Sequence, residues 1–467
     1  MDSSSSAGTP APDPLANAEA ERAERAEARR AAPRKARARR TVDPLLYRVP
    51  GFIAELTAFI LSVAPVPNPP AAFAGALAFL SYLAGRKYLG ANGALPNLLV
   101  ILLGPSGCGK NAARQVIRKL ARRLEIHDGV IDGFASGPGL IDALRERPLL
   151  ISLYDEVNRL FTVVAAQGTD PLAEGLSSAL KQVFTSADGY LRRDSVSARG
   201  KADRLPAVVV APHFTMFATG TEEEVLGKVS PQMLGDGLAG RMLFFEADPF
   251  NGSNFDANMS ATIPQRIVEH AKKLLAGKSD AAETRETFDT EHDFTVVPFA
   301  AGGREAWREF QERNDATRIE LGKRSDPLAR SRAAAMARRV ELAGKCALLF
   351  ALSENADDPQ ITPAGIDWGA NLVSELQRVA FEKVADNYGA TPEAKAASKI
   401  LAKIRDCGGE ISQTDLGQAF RAAVPKKVFD AALAWLLNDG EIECETVQGK
   451  TKRKTVWRLV KNAEDEE

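Results

Sequence analysis

The stretch that decides the fold is residues 99–111, which read LVILLGPSGCGKN. The apolar run Leu99–Leu103 is typical of a strand that is buried on both faces of a sheet. A glycine-rich stretch follows without a break, and residues 112–124 then show the apolar periodicity of a helix. We therefore predict a strand, a glycine-rich loop and a helix in immediate succession.

The loop has the spacing of a phosphate-binding loop, in which a glycine and four further residues precede Gly-Lys. Its glycines let backbone N–H groups face phosphate oxygens, the start of the helix adds partial positive charge, and the lysine reaches the outer phosphates. The expected nucleotide-binding residues are Gly104, Pro105, Ser106, Gly107, Cys108, Gly109, Lys110 and Asn111. Asn111 stands where Ser or Thr more commonly holds Mg²⁺, and an amide oxygen can also ligate that ion. Nothing in the sequence beside Cys108 marks a redox site, so we interpret it as a small space-filling residue.

A second apolar run, Leu149 to Leu153, leads through Tyr154 into the acidic pair Asp155 and Glu156. Asp155 is expected to orient Mg²⁺, and Glu156 to polarise the attacking water and so serve as a catalytic residue beside Lys110. By itself, an acidic pair after a strand is equally well explained as a helix cap. Because it follows a phosphate-binding loop in an alternating pattern, we interpret it as the second half of a nucleoside triphosphatase site.

Apolar runs alternate with helical patterns and glycine turns in the middle of the chain, which predicts an α/β fold with a mostly parallel sheet. A proline-rich break at residues 65–70 interrupts the helical pattern before it. The expected divisions are a disordered basic arm (1–44), an N-terminal helical collar (45–92), the core (93–250), a helical lid region (251–390), a C-terminal unit (391–461) and an acidic tail (462–467). The arm is explained either as a sequence-independent phosphate contact or as a solvated tail.

Composition narrows the possible functions. Sixty Lys and Arg against 61 Asp and Glu give a net charge of −1, so a nucleic-acid surface must come from local segregation of charge. The four cysteines and four histidines are scattered singly, without the spacing of a zinc site or a disulfide framework. Neither apolar stretch, residues 52–66 or 71–83, reaches the roughly 20 residues of a membrane span, and no signal peptide is recognisable. We expect a cytoplasmic protein without membrane contact.

Together, these motifs resemble an AAA+ ATPase, and in particular the helicase-like P-loop proteins of bacteriophages, prophages and other mobile elements, which are similar to MCM replicative helicases. The resemblance spans residues 45–460 and rests on four segments, 104–111, 149–156, 218–221 and 237–245. It implies an enzyme that hydrolyses ATP with Mg²⁺ and works on DNA as a ring, for which a homo-hexamer is expected.

The resemblance also assigns roles to individual residues. A polar residue after the fourth core strand would sense the γ-phosphate, which points to Thr221, or to Thr219 two residues earlier. Arg241 has the place of an arginine that crosses a subunit boundary to a neighbour's γ-phosphate, with a structural ion pair as the alternative. The candidates for a phosphate-contacting arginine on the lid helix, with the first preferred, are Arg339, Arg332 and Arg338.

Two basic segments are candidates for nucleic-acid contact. Residues 189–204 suggest two short extended segments around a basic turn, where MCM-like helicases project a hairpin into the pore. Arg199 and Lys201 are the expected tip residues, and a solvated loop is the alternative. The C-terminal unit has the pattern of three helices and a hairpin, which resembles a winged helix that binds DNA or docks on proteins. Its expected DNA-binding cations are Lys426, Lys427, Lys450, Lys452, Arg453 and Lys454.

The leading interpretation is an ATP-dependent DNA helicase or replication initiator of a phage or mobile element, which couples ATP hydrolysis to DNA translocation as a ring-shaped oligomer. The chain shows no primase-like zinc module, so priming would need a separate primase or other replication proteins. The alternative is a nucleotide-gated, non-catalytic DNA-binding regulator, suggested by Asn111 and by a threonine at the sensor position. DNA-stimulated ATP hydrolysis distinguishes the two.

Overall fold

A computed structural model of the chain describes residues 42–165, 171–192, 208–229, 231–235, 237–249, 251–277, 293–324, 327–390, 392–421, 423–438, 441–448 and 453–460. The chain divides into two compact units, Met1–Val42 and Asp43–Glu467. Except for residues 42–44, the predicted basic arm lies outside the described residues, and so does the acidic tail.

A parallel sheet forms the centre of the larger unit. In chain order the described strands are β1 (Tyr88–Gly90), β2 (Leu99–Leu103), β3 (Val130–Ile131), β4 (Leu149–Tyr154), β5 (Tyr190–Arg192), β6 (Val208–Val210), β7 (His213–Gly220), β8 (Met242–Glu246), β9 (Thr295–Val297), β10 (Glu410–Ser412), β11 (Ile442–Gln448) and β12 (Arg453–Leu459). The central sheet has the order β3-β4-β7-β2-β8, and its neighbouring strands are all parallel. The predicted α/β fold is confirmed at this level.

The register of this sheet brings chemically important strand ends together. Leu103, the last residue of β2, lies opposite Gly220 on β7 and Glu246 on β8. Tyr154, the last residue of β4, lies opposite Ala218 on β7. The segments that follow β2, β4 and β7 therefore leave the sheet together at the carboxyl ends of these strands, where parallel sheets commonly bind ligands. We call this side of the sheet its carboxyl edge.

Helices surround the sheet and make up most of the remaining described chain. They are α1 (Phe52–Val63), α2 (Pro69–Ala84), α3 (Asn111–Arg123), α4 (Gly137–Glu146), α5 (Asn158–Ala165), α6 (Pro171–Thr185), α7 (Glu222–Leu226), α8 (Pro231–Gly235), α9 (Gln265–Leu275), α10 (Gly303–Gly322), α11 (Pro327–Glu354), α12 (Pro363–Ala390), α13 (Pro392–Asp406), α14 (Gln413–Phe420) and α15 (Lys426–Asn438). Among the described residues, no helix combines the length and the hydropathy that crossing a bilayer requires.

The prediction of a separate N-terminal collar needs correction. Helix α2 is buried from Ala71 to Ala84 and packs against β2, β4, β7 and β8. Its small residues allow this close approach, since a Cβ on Gly75 would lie 2.6 Å from the Cβ of Ala113 on α3. Asn68 caps the helix and two prolines begin it, which explains why the proline-rich break ends there. This part of the predicted collar belongs to the core.

The region after the sheet is helical, as its pattern predicts. Helices α11 and α12 pack along each other, and α10 packs on both of them. Helix α12 also reaches β8 and α7, at the edge of the sheet where the phosphate-binding loop begins. The helical region is therefore joined directly to the sheet.

The C-terminal residues form a small unit of three helices and a three-stranded antiparallel sheet. The sheet has the order β10-β12-β11, and α13 and α15 pack together beside it. The core of the unit includes Ile400, Leu416, Phe429, Leu433 and Trp457. The unit thus has its own apolar core, as expected for an independently packed module.

Candidate nucleotide-binding site

The loop between β2 and α3 has the left-handed backbone conformations that its glycines predict. Gly107 and Gly109 have φ angles of +79° and +89°, a region that side chains with a Cβ rarely adopt. A Cβ on Gly109 would also lie 2.1 Å from the carbonyl oxygen of Val66. Glycine is therefore required at position 109 both by the backbone conformation and by the neighbouring chain.

Lys110 lies between this loop and β7, the strand beside β2 in the sheet. Its Nζ donates to the carbonyl oxygens of Gly104 and Gly220, the latter at 3.1 Å. Burial lowers the pKa of Lys110, and the negative charge of Asp155 acts in the opposite direction. A lysine held by carbonyl oxygens keeps its charge available for an incoming anion, as the phosphate-binding role requires.

The predicted acidic pair lies at the end of β4. Asp155 Oδ1 accepts hydrogen bonds from Thr219 Oγ1 at 2.9 Å and from the Glu156 N–H at 3.2 Å, and Arg114 Nη1 is 2.6 Å away. Burial raises the pKa of Asp155, but the hydrogen bonds from Arg114 and Thr219 outweigh it and hold that pKa below its usual range. Asp155 is therefore ionised at neutral pH.

Glu156 differs from Asp155 in its surroundings. Its φ angle is +51°, which is uncommon for a residue other than glycine, and its side chain is exposed. Backbone strain of this kind clusters at functional sites because the surrounding structure must maintain it. An exposed carboxylate directly after Asp155 suits the predicted role of polarising water.

Of the two candidate sensor residues, the geometry favours Thr219. Its hydroxyl donates to Asp155, and it lies opposite Leu102 on β2, directly beside the loop strand. Thr221 Oγ1 instead donates to Glu224 Oε2 at 2.8 Å, within the turn that begins α7. The assignment of a sensor to Thr221 or Thr219 stays a prediction, and of the two hydroxyls only that of Thr219 contacts Asp155 among the described residues.

Arg241 is directed into its own chain. The residue is 7% exposed, and its Nη1 donates to the carbonyl oxygen of Gly237 at 3.1 Å. Burial and the nearby positive charge of Arg338 lower its pKa. An arginine that reaches a neighbouring subunit needs an exposed guanidinium, whereas this one is buried and bonds a backbone carbonyl oxygen. The alternative, a structural ion pair, is not among its contacts with the described residues either.

The three candidate lid arginines contact their own helix pair. Arg339 Nε donates to Gln377 Oε1 at 2.9 Å, Arg338 pairs with Glu341 at 3.0 Å, and the guanidinium of Arg332 lies 6.0 Å from the ring centre of Phe381. These contacts hold α11 against α12 or pair residues along α11. The preference for Arg339 as a phosphate contact gains no support from them.

Lys383 on α12 is a cation of the helical region that contacts the carboxyl end of the sheet, and the sequence did not predict this contact. Lys383 pairs with Glu222 at 2.5 Å and with Glu246, which lies opposite Leu103 at the end of β2. An ordinary helical lysine gives no sequence signal of such a contact. Lys383 fastens the helical region to the edge that carries the loop.

Asn68 supports the loop from behind and was also missed. The residue is 2% exposed, and its Nδ2 donates to the carbonyl oxygens of Cys108 at 2.7 Å and Asp248 at 2.9 Å. Its Oδ1 accepts from Ala71 as the cap of α2. The pattern Asn-Pro-Pro is a helix-start signal that predicts the cap but not the contact with the loop.

Several predicted nucleic-acid contacts lie outside the described residues, namely Arg199, Lys201, Lys450 and Lys452. Of the two extended segments predicted in residues 189–204, the described residues include β5 (Tyr190–Arg192), which pairs antiparallel with β6 (Val208–Val210), a strand that begins beyond the predicted range. Lys426 and Lys427 are exposed at the start of α15, and Arg453 and Lys454 begin β12.

The two predicted Mg²⁺ ligands are both engaged by the same cation. Arg114 Nη1 lies 3.3 Å from Asn111 Oδ1 and 2.6 Å from Asp155 Oδ1. Within the described part of the chain, no group of three or more His, Cys, Asp or Glu residues could hold a metal ion. A positive guanidinium between the two oxygen donors repels a divalent cation, so these residues do not fit Mg²⁺ as they are arranged.

No protein family matches the chain, and no curated protein matches it either.

Proposed function

We propose that the chain is an ATP-dependent DNA helicase or replication initiator of the AAA+ type. The observation that carries the proposal is the meeting of Lys110, Asp155 and Thr219 at one edge of the sheet. Lys110 and Asp155 follow β2 and β4, Thr219 lies near the end of β7, and together they place a cation-bearing glycine loop near an ionised carboxylate. This combination binds a nucleoside triphosphate and supports attack by water.

The order of the strands supports the same proposal. Strand β7 lies between the loop strand β2 and the acidic strand β4. It therefore brings Thr219 next to Asp155 and the Gly220 carbonyl next to Lys110. A change at the phosphates can thus reach the acidic pair through a single buried strand, as expected of an ATPase whose state is sensed.

Each residue of the site has a distinct proposed task. The loop N–H groups and Lys110 bind the phosphates, since charge-assisted hydrogen bonds to phosphate are strong and directional. Glu156 takes the proton of the attacking water as general base. Thr219 responds to the γ-phosphate through its bond to Asp155. ATP is the proposed nucleotide.

The proposed DNA contacts lie in two places. The C-terminal unit is proposed as a winged helix, in which Lys426 and Lys427 begin a groove-facing helix and the residues between β11 and β12 contact the phosphate backbone. The residues between β5 and β6 are proposed to contact DNA in the pore of a ring. Assembly as a homo-hexamer is what the resemblance to AAA+ ATPases implies. A separate primase or other replication proteins are proposed as partners because the sequence shows no primase-like zinc module.

A second candidate function is a nucleotide-gated DNA-binding regulator that does not hydrolyse ATP. It is favoured by Arg114, which occupies the place between the two oxygen donors expected for the metal. In that case ATP would bind at the same loop and change DNA affinity without turnover.

One experiment separates the two functions. We measure ATP binding and hydrolysis with and without single-stranded DNA for the wild type, for Lys110→Ala, and for Lys272→Ala, a control at an exposed lysine. The helicase proposal expects hydrolysis that DNA stimulates, and Lys110→Ala should remove it and weaken ATP binding at least about tenfold.

The other outcomes are equally informative. Tight ATP binding without hydrolysis would support the regulator. Absence of ATP binding by the folded wild type, or unchanged binding by Lys110→Ala, would overturn both candidates.

A further inference from the structure

Arg114 lies at the same end of the sheet, and the proposed chemistry gives its contacts no role. A single atom, Nη1, lies within hydrogen-bond distance of Asn111 Oδ1 at 3.3 Å and Asp155 Oδ1 at 2.6 Å. The first partner is on its own helix, and the second follows β4. The guanidinium therefore joins the loop helix to the acidic strand.

The position of Arg114 follows from helix geometry. Asn111 begins α3, and Arg114 is three residues later, so the two side chains lie on the same helix face. The Arg114 side chain is 15% exposed, whereas that of Asp155 is 55% exposed. Its Nε is buried and has no hydrogen-bond partner among the described residues. Such a side chain is held by packing and cannot move aside without losing its ion pair.

Asp155 Oδ1 has no capacity left for another cation. It accepts from Thr219, from the Glu156 N–H and from Arg114. Three donors occupy that oxygen, so a metal ion at Asp155 would have to bind Oδ2 instead. The positive charge beside the loop is therefore already supplied by the chain itself.

We propose that Arg114 takes the place of the divalent cation between Asn111 and Asp155, so that nucleotide binding at this loop does not depend on Mg²⁺. The inference rests on the proposed phosphate-binding function of the same loop. Arg114 is a positioning and charge-supplying residue that neutralises phosphate charge next to Lys110. It also fixes Asp155 and Thr219 in their bonded arrangement.

The test measures equilibrium binding of a fluorescent ATP analogue in excess EDTA and in excess MgCl₂. The variant is Arg114→Met, which keeps most of the aliphatic packing and removes the charge. The matched control is Arg118→Met, one turn further along α3, where the arginine pairs with Asp132 and not with Asp155.

We expect the wild type and Arg118→Met to bind the analogue with similar affinity in EDTA and in MgCl₂. Arg114→Met should bind about 10- to 100-fold more weakly in EDTA, since it loses a charged hydrogen-bond donor. Addition of MgCl₂ should restore much of this loss, because the two oxygen donors are then open to the ion. In the presence of ADP, Mn²⁺ detected by electron paramagnetic resonance should bind Arg114→Met and not the wild type.

Two results would contradict the inference about Arg114, and a third would contradict the proposed nucleotide binding on which it rests. A wild type that loses affinity tenfold or more in EDTA, with Arg114→Met behaving alike, would mean that Arg114 moves aside for an ordinary metal. Mn²⁺ binding by the wild type would lead to the same conclusion. Absence of analogue binding by the wild type in both buffers would instead remove the proposed function. Arg114→Lys, which retains the charge, shows whether a loss in Arg114→Met comes from charge or from misfolding.

Discussion

The two ends of the central sheet both carry basic side chains, but the chain treats them in opposite ways. At the carboxyl end, Lys110 and Arg114 lie beside the ionised Asp155, whose side chain is half exposed. At the amino end, Lys345 and His213 are buried, and the nearest oxygen atoms to Lys345 are neutral. The carboxyl end can exchange its partners for a ligand, whereas the amino end has no access to one.

The amino end shows how buried cations are accommodated. Lys345 Nζ donates to Asn97 Oδ1 at 2.5 Å and to the Leu95 carbonyl oxygen at 3.2 Å, while Glu341 is 3.8 Å away. Burial lowers the pKa of Lys345 to about 8 and that of His213 to about 3. Desolvation therefore drives these groups toward their neutral forms. Charge by itself does not mark a binding site, and access to solvent decides the difference.

The largest expected effect is at the exposed end. Glu156→Gln should lower ATP hydrolysis by about 10²- to 10⁴-fold, because it removes the general base, and should leave ATP binding nearly unchanged. Steady-state hydrolysis and equilibrium binding of ATP check this. The control is Glu223→Gln at an exposed glutamate in α7, which should hydrolyse ATP normally. Normal turnover in Glu156→Gln would place the base elsewhere.

A second prediction concerns the buried end. The pKa of Lys345 is about 8 in the folded protein against 10.5 for an ordinary lysine, so the unfolded chain binds more protons between these values. Stability of the wild type should therefore rise through this pH window relative to Lys345→Met, by about 3 kcal/mol in total. Chemical denaturation between pH 7.5 and pH 10.5, roughly the window set by the two pKa values, measures it.

Burial also lowers the pKa of Lys87 to about 8. Because Lys87 is present both in the wild type and in Lys345→Met, the difference in their stabilities reports on Lys345. Loss of the bonds to Asn97 and Leu95 should lower the free energy of unfolding of Lys345→Met by the same amount at every pH. It therefore does not change how the difference between the two proteins depends on pH. The exposed-lysine variant Lys272→Met should follow the wild type at all pH values. A pH-independent difference between Lys345→Met and the wild type would show that Lys345 stays charged when buried.

The smallest expected effect separates charge from neutral hydrogen bonding at the carboxyl end. Asn68→Ala should lower the free energy of unfolding by about 1–3 kcal/mol, because the carbonyl oxygens of Cys108 and Asp248 lose a donor and α2 loses its cap. ATP affinity should fall with it, since the loop loses its support. Asn254→Ala, at an exposed asparagine that donates to the Ser62 carbonyl oxygen, should change both quantities little.

Local sequence patterns predicted the parts of the site that depend on neighbours along the chain. The strand, the glycine loop and the helix at residues 99–124 follow from spacing, as does the strand before the acidic pair. The same patterns misplaced α2, because an apolar helix before the core gives no sign of which surface it covers. They also favoured Thr221 over Thr219, since position after a strand does not show which hydroxyl meets Asp155.

The sequence by itself thus determined the glycine-rich loop, the acidic residues at a strand end and the α/β class, because each depends on backbone conformation and on short-range periodicity. Only the tertiary structure decided that Arg114 bonds Asp155, that Lys383 reaches Glu246 and that Arg241 is directed inward. The first two contacts join residues far apart in the chain, whereas Arg241 bonds Gly237, four residues earlier. Their partners are set by how the helices pack on the sheet, and no local pattern encodes that packing.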